Sequence, residues 1–271
     1  MSLLTDFGLQ DASVGACRGV LATIAPGVPL ADISHLVPSF DIDRGARMLE
    51  ASLPYYPPGS VHVGVVDPGV GTSRRGIALR CGRGDHCVGP DNGLLMWAAE
   101  RLGGVTEAVE LSSDAHRLHP TSRTFHGRDI FAPAAAHLAL GLELAALGPR
   151  LDPSGLVRLP RTGPEVGAGS IRARVGSING YGTCQFDVVD ADWERAGLAG
   201  HPSIVVEVSG GTWTVPYVLT FGEIGRDEPL LFPDSSGKLS LAVNQASAAQ
   251  RFGLGVGGLV TFRAGEDRPT T

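Results

Sequence analysis

A run of apolar residues that stops abruptly on a carboxylate limits what this chain can become. Residues 61–75 read V-H-V-G-V-V-D-P-G-V-G-T-S-R-R. Val61, Val63, Val65 and Val66 make a nearly continuous apolar strand, the pattern of a strand covered on both faces in a parallel sheet. Pro68, Gly69 and Gly71 then end it. A carboxylate at the carboxyl end of a central parallel strand lies where open α/β sheets hold ligands, and the glycines allow close backbone approach. From these residues alone Asp67 is either a ligand-facing group or the cap of an ordinary Asp-Pro-Gly turn.

The flanking pattern places that strand in an alternating chain. Ser2 to Thr5 reads as a short strand. Val14, Cys17, Leu21 and Ile24 repeat at helical spacing, with Asp11 as N-cap and Pro26 as the stop. Pro29 to Ser34 reads as a second strand, and Asp41 leads into a helix carrying Ile42, Ala46, Leu49 and Leu53 that ends at Pro54. After the central strand come a strand at Ile77 to Arg80, a Pro90-Asp91-Asn92-Gly93 turn, a helix from Leu94 to Leu102 and an alanine-rich helix over 130–148. The alternation predicts a mainly parallel α/β sandwich over residues 1–150, with helices on both faces. Residues 151–168 are rich in Pro and Gly and read as a linker. Over 169–265 the helical signal nearly vanishes. Ile204–Val208, Thr212–Tyr217, Leu230–Phe232 and Leu239–Val243 read as short strands of a smaller all-β barrel or sandwich.

Composition excludes several classes of function. At 271 residues the chain has room for two cores, and 43% apolar residues make it globular. A net charge of −6, with its 22 Lys and Arg in no dense block, argues against nucleic acid or an anionic membrane as partner. Cys17, Cys81, Cys87 and Cys184 show no C-x-x-C pairing, so they read as reduced cytoplasmic thiols. His35, His62 and His126 have no ligand spacing, and no metal is expected. No signal peptide precedes the first strand, and the apolar segment 130–148 carries His137 and Glu143, unlike a membrane span. Asp6-Phe7-Gly8 matches a kinase motif without its partner motifs. Gly69-Val70-Gly71 lacks the following helix of a dinucleotide fingerprint.

Five motifs in order carry a resemblance: T-D-F-G at 5–8, D-x-S-V-G at 11–15, V-V-D-P-G-V-G at 65–71, G-P-D-N-G at 89–93 and T-F-H-G-R-D-I-F-A-P at 124–133. Weaker matches follow at D-S-S-G, 234–237, and L-A-V-N, 241–244. The chain resembles the S-adenosyl-L-methionine (SAM) hydrolases that form adenosine, also called SAM hydroxide adenosyltransferases, relatives of the fluorinase and chlorinase enzymes. The resemblance implies an α/β domain followed by a β-barrel. It also implies a homotrimer that binds SAM between the N-terminal domain of one subunit and the C-terminal domain of the next. SAM would be the substrate, with no separate cofactor.

The family's water-handling set maps onto Asp67, Arg74 and His126. Asp6 matches the acceptor of the ribose hydroxyls, Asp11 and Ser13 the methionine end, and Phe40 an aromatic beside the substrate. Tyr181 and Phe221 match residues that pack on adenine, and Ser235 a contact to the methionine carboxylate. One departure stands out. Where relatives read F-G-N, this chain has Tyr181-Gly182-Thr183, so an amide able to pair with adenine is missing, leaving Gln185 or backbone as substitutes. Two alternatives stay open: a SAM-dependent halogenase of the same fold, since this chain shares Gly127 with the chlorinase type, and a non-catalytic SAM or adenosine sensor.

Overall fold

The structure, a computed structural model, describes residues 1–265. It divides into two compact units, Met1–Pro160 and a second that begins at Arg161.

The first unit is built on six strands: β1 (Ser2–Thr5), β2 (Ala31–Ser34), β3 (Val61–Val65), β4 (Gly76–Cys81), β5 (His86–Pro90) and β6 (Val105–Glu110). Their order is β2-β1-β3-β5-β4-β6. β2, β1, β3 and β5 pair in parallel, whereas β4 runs against both β5 and β6. All five residues of β3 are buried. Strand alternation splits this segment between two layers. Val61, Val63 and Val65 pack with α1 (Ser13–Ile24) and α4 (Ala132–Ala139), while Val66 packs with α2 (Ile42–Ser52) and α3 (Met96–Arg101). Gly64 faces the second layer, where a Cβ would stand 3.0 Å from Leu49 and 3.2 Å from Leu95, so its bareness sets how closely the helices approach. The mainly parallel α/β sandwich is as expected from the sequence.

Several boundaries differ from expectation. The first helix begins at Ser13, and its N-cap position is Ala12, which offers no side-chain bond. Asp11 instead accepts from the Ser13 amide at 2.8 Å, one residue earlier than a capping carboxylate. Asp41 does cap α2, through the Arg44 amide at 2.9 Å. The alanine-rich segment is not one helix: a π-helical turn over Gly127–Phe131 precedes α4, which ends at Ala139. Residues 151–160, expected as linker, lie on the first unit. Leu156 is buried in its core, and the Val157 amide donates to Asp91 at 2.9 Å.

The second unit is antiparallel, with two short helices, α5 (Asp190–Arg195) and α6 (Ala248–Arg251). Its strands are β7 (Glu165–Gly167), β8 (Ser170–Ile178), β9 (Cys184–Val189), β10 (Ser203–Val208), β11 (Gly211–Pro216), β12 (Pro229–Pro233), β13 (Lys238–Val243) and β14 (Leu259–Ala264). They run β11-β10-β14-β8-β9-β13-β12, with β7 on β8. Just past β11, the Val218 amide donates to the Leu231 carbonyl of β12 at 2.9 Å. The two ends of the sheet thus meet, giving a nearly closed barrel around Phe186, Phe262 and Trp193.

Candidate active site

In the first unit, the end of β3 is held open by its neighbours. Asn92 of the G-P-D-N-G motif donates from Nδ2 to the Val66 carbonyl at 2.8 Å, just before Asp67. Beside it, Asp91 accepts from Arg75 at 3.0 Å and donates its amide to the Arg75 carbonyl at 2.9 Å. Both ends of the 67–75 turn are therefore pinned. Within it, the Val70 amide bonds the Asp67 carbonyl, and Gly71 adopts φ +77°. A Cβ there would stand 2.5 Å from the Arg123 carbonyl, so the turn can lie against the 121–126 loop only with glycine.

That contact brings the expected set together. Arg74 Nε donates to Asp67 Oδ1 at 3.0 Å and Nη2 to Oδ2 at 2.5 Å, a bidentate pair. Nη2 also lies 3.0 Å from His126 Nδ1. Asp67 is 6% exposed and Arg74 9%. A guanidinium has no lone pair to offer, so His126 Nδ1 must accept, and the neutral ring carries its proton on Nε2. Burial, and then the charge of Arg74, push the His126 pKa below the ordinary imidazole value, which favours that neutral form.

The loop bearing His126 is fixed by a residue that sequence reading did not single out. Asp129 is buried, accepts from the Ser122 amide at 2.8 Å and pairs with Arg128, while its carbonyl takes the Leu118 amide. Its signal was present in the R-D of the 124–133 motif. Only the fold reveals that the carboxylate turns back on the loop.

A depression of about 270 Å³ lies over these groups, lined by Asp6, Phe40, Val65, Asp67, Phe125 and His126 among others. Arg74 stands behind Asp67 and does not line it. Asp6 Oδ2 accepts from the Phe40 amide at 2.9 Å, holding Phe40 at φ +68° with its ring 70% exposed. A non-glycine residue in that region is strained, and the Asp6 bond offsets the strain. Asp11 and Ser13 sit at the start of α1 and line no part of this depression.

The second unit holds a larger depression of about 950 Å³, lined by Tyr181, Phe221, Phe232, Ser235, Thr183 and Gln185 among others. Tyr181 is 85% exposed, and Phe221 meets Phe232 edge-on at 5.0 Å. Gln185, one proposed stand-in for the missing amide, is already committed. Its Nε2 donates to Asp234 at 2.5 Å and to Ser236 at 3.3 Å, and its Oε1 accepts from Ser177. Burial works against the Asp234 carboxylate, but bonds from Ser236, Gln185 and the Lys238 amide outweigh it and hold its pKa below the usual range. Asp234 therefore anchors the loop carrying Ser235. Among the described residues no three His, Cys, Asp or Glu side chains converge on a metal position, and no helix is long and apolar enough to cross a membrane.

Known proteins share this fold and much of this sequence. The model of the SAM hydroxide adenosyltransferase N-terminal domain matches residues 1–148, and that of the C-terminal domain matches residues 173–261. A protein of Salinispora tropica named (R)-S-adenosyl-L-methionine hydrolase is 44% identical over 265 residues, 98% of each chain. A fluorinase of an Actinoplanes species is 29% identical over 287 residues, 96% of each. The crystal structure of an uncharacterized conserved protein from Thermotoga maritima superposes with a TM-score of 0.90 at 33% identity, covering 97% of this chain and 99% of that one. The chain belongs to the SAM hydroxide adenosyltransferase family.

Proposed function

We propose that this protein hydrolyses SAM to adenosine and L-methionine, by direct attack of one water on ribose C5′. The convergence of Asp67, Arg74 and His126 at the wall of the smaller depression carries the reading. The leaving group is a neutral thioether departing from a sulfonium, so the reaction needs no general acid. What it needs is a weak nucleophile held in line and relieved of a proton. Alignment alone supplies up to about 7 to 11 kcal/mol in well-ordered cases.

The roles follow from the hydrogen bonds. Arg74 fixes both carboxylate oxygens of Asp67, leaving their remaining lone pairs for the water. Asp67 accepts the proton as oxygen bonds to C5′ and the C5′–S bond breaks. With Nδ1 turned to Arg74, His126 keeps its Nε2–H as a donor to orient the water. Asp6 accepts from the ribose hydroxyls, and Phe40 covers the sugar. Tyr181 and Phe221 pack on adenine, and Ser235 meets the methionine carboxylate. Asp11 and Ser13 contact the methionine end when substrate closes the site. Halide is the poorer nucleophile here, because the carboxylate of Asp67 lines the depression while the compensating guanidinium lies behind it.

The working form in this reading is a cytoplasmic homotrimer. Exposed Phe40 and Tyr181, each at the rim of its own depression, support a site completed by another subunit, and four free, buried thiols fit a reducing compartment. The test is turnover in heavy-oxygen water, following adenosine and methionine by chromatography and mass spectrometry, with and without chloride. The (R) and (S) sulfonium epimers are run separately, since the relatives' name specifies the former. Label should enter the adenosine 5′-hydroxyl. Unlabelled adenosine, or a 5′-chloro product, would rule the mechanism out.

A further inference from the structure

Behind Asp67 lies a second depression of about 560 Å³ that shares His126 with the front one and whose lining, apart from Arg74 and His126, the hydrolytic reading leaves unused. Its lining includes four arginines, Arg74, Arg75, Arg117 and Arg123, against a single carboxylate, Glu110. Arg75 is paired with Asp91, which lies outside the depression. The other three retain donors. Arg74 spends Nε and Nη2 on Asp67 and His126, whereas no hydrogen bond among the described residues takes its Nη1, although the side chain is only 9% exposed. Arg117 Nε is buried without a partner; its Nη2 reaches the Leu111 carbonyl and its Nη1 is a distant 3.8 Å from Asp114. Arg123 makes no ion pair or side-chain hydrogen bond among the described residues and is exposed. A buried donor without an acceptor is costly, and one such donor on Arg117, at a concavity also lined by Arg74 and Arg123 with uncommitted N–H groups, calls for an anionic acceptor.

We infer that this depression is a binding site for a small divalent oxyanion of the phosphate class, seated between Arg74, Arg117 and Arg123. Guanidinium forks match phosphate oxygens, and three cations suit a dianion better than a monoanion. The ligand is inorganic phosphate or the phosphoryl group of a small monoester. Arg74 lines the rear depression and is paired with Asp67, which lines the front one, so an anion here draws on the same charge that holds Asp67. Occupancy of the rear depression is thereby coupled to the cluster in front, and by linkage the cluster also sets the affinity for the anion.

The experiment is calorimetric titration of the full-length protein with inorganic phosphate and, separately, glycerol 3-phosphate, at constant ionic strength, with no turnover involved. Its outcome is therefore independent of whether SAM is hydrolysed. Saturable binding of at least one probe is expected, weakened about tenfold or more by Arg123→Ala and more by Arg123→Glu. Arg123 is exposed, so these variants keep the fold; Arg117→Met serves as a second variant, with circular dichroism confirming its structure. Asp67→Asn should tighten binding severalfold by releasing Arg74, and adenosine should not displace the probe. Failure of both probes to saturate, wild-type affinity in the Arg123 variants, or displacement by adenosine would overturn the site. Unchanged affinity in Asp67→Asn would overturn the coupling.

Discussion

Asp67 and Arg74 hold each other through two hydrogen bonds, while Asp6 is engaged only through one oxygen by the Phe40 amide. The difference predicts two distinct variants. Asp67→Asn preserves shape but removes the acceptor proposed for the water proton, so kcat should fall roughly 100-fold to 10,000-fold with KM nearly unchanged. Asp6→Asn removes the charged acceptor proposed for the ribose diol and should raise KM about tenfold to a hundredfold. Steady-state kinetics with melting curves on both proteins tests this, and near-normal kcat in Asp67→Asn would sink the water-activation role. Asp67 and His126 could be named from sequence because each belongs to a short motif, and Arg74 because it follows three residues after the motif of Asp67. What those motifs did not disclose is their support. Asn92 and Asp91 looked like turn residues, and a turn-forming sequence does not reveal that its side chains pin a second turn 26 and 16 positions upstream. Gln185 failed as a substitute amide for the converse reason, since its partner Asp234 is 49 residues away and no local pattern announces the bond.

Among the elements, β3 carries a second polar group at its other end. His62 is fully buried, with Nδ1 2.7 Å from Ser2 Oγ of β1 and Nε2 3.4 Å from Asp85, which Arg83 grips with two bonds. Arg83 reaches on to the Leu53 and Pro54 carbonyls after α2, so the network ties β1, β3, the β4–β5 turn and the end of α2. Burial pushes the His62 pKa down to about 4. The unfolded chain then binds the proton more readily than the folded one. The associated stability is complete above the ordinary imidazole value and is lost as pH falls toward 4, by on the order of 3 kcal/mol. Urea unfolding at neutral pH and near pH 4 should show this loss in wild type and much less of it in His62→Gln. Equal acid sensitivity in the two would contradict it. Burial also lowers the pKa of His35, His86 and His137, and their contributions cancel in the comparison. Element types were most legible where periodicity was uninterrupted, as in β3, α1 and α2. β5 was missed because H-C-V-G-P ends in turn residues, and β6 because V-T-E-A-V-E places glutamates between its apolar positions. The alanine-rich helix was overextended because apolar composition continues past Ala139 after the helical hydrogen bonding stops.

For the whole molecule, the decisive question is whether the proposed substrate contacts belong to one chain. Asp6, Asp67 and His126 lie in the first unit and Tyr181, Phe221 and Ser235 in the second, each group around its own depression. If the protein works as the cyclic trimer proposed, each subunit lends its first unit to one neighbour and its second to the other, because such interfaces are heterologous. The consequence is complementation. An inactive Asp67→Asn protein and an inactive Phe221→Ala, Ser235→Ala double variant are unfolded together in equal amounts and refolded. Each site in a randomly mixed trimer needs its first half from the double variant and its second half from the Asp67→Asn chain. About one quarter of the sites meet both conditions, so about one quarter of wild-type specific activity should return. Native mass spectrometry establishes that mixed trimers have formed. Activity that stays at the level of the separate variants in those mixed trimers would mean that every site is completed within a single chain, whereas recovery near one quarter requires that halves from different chains meet.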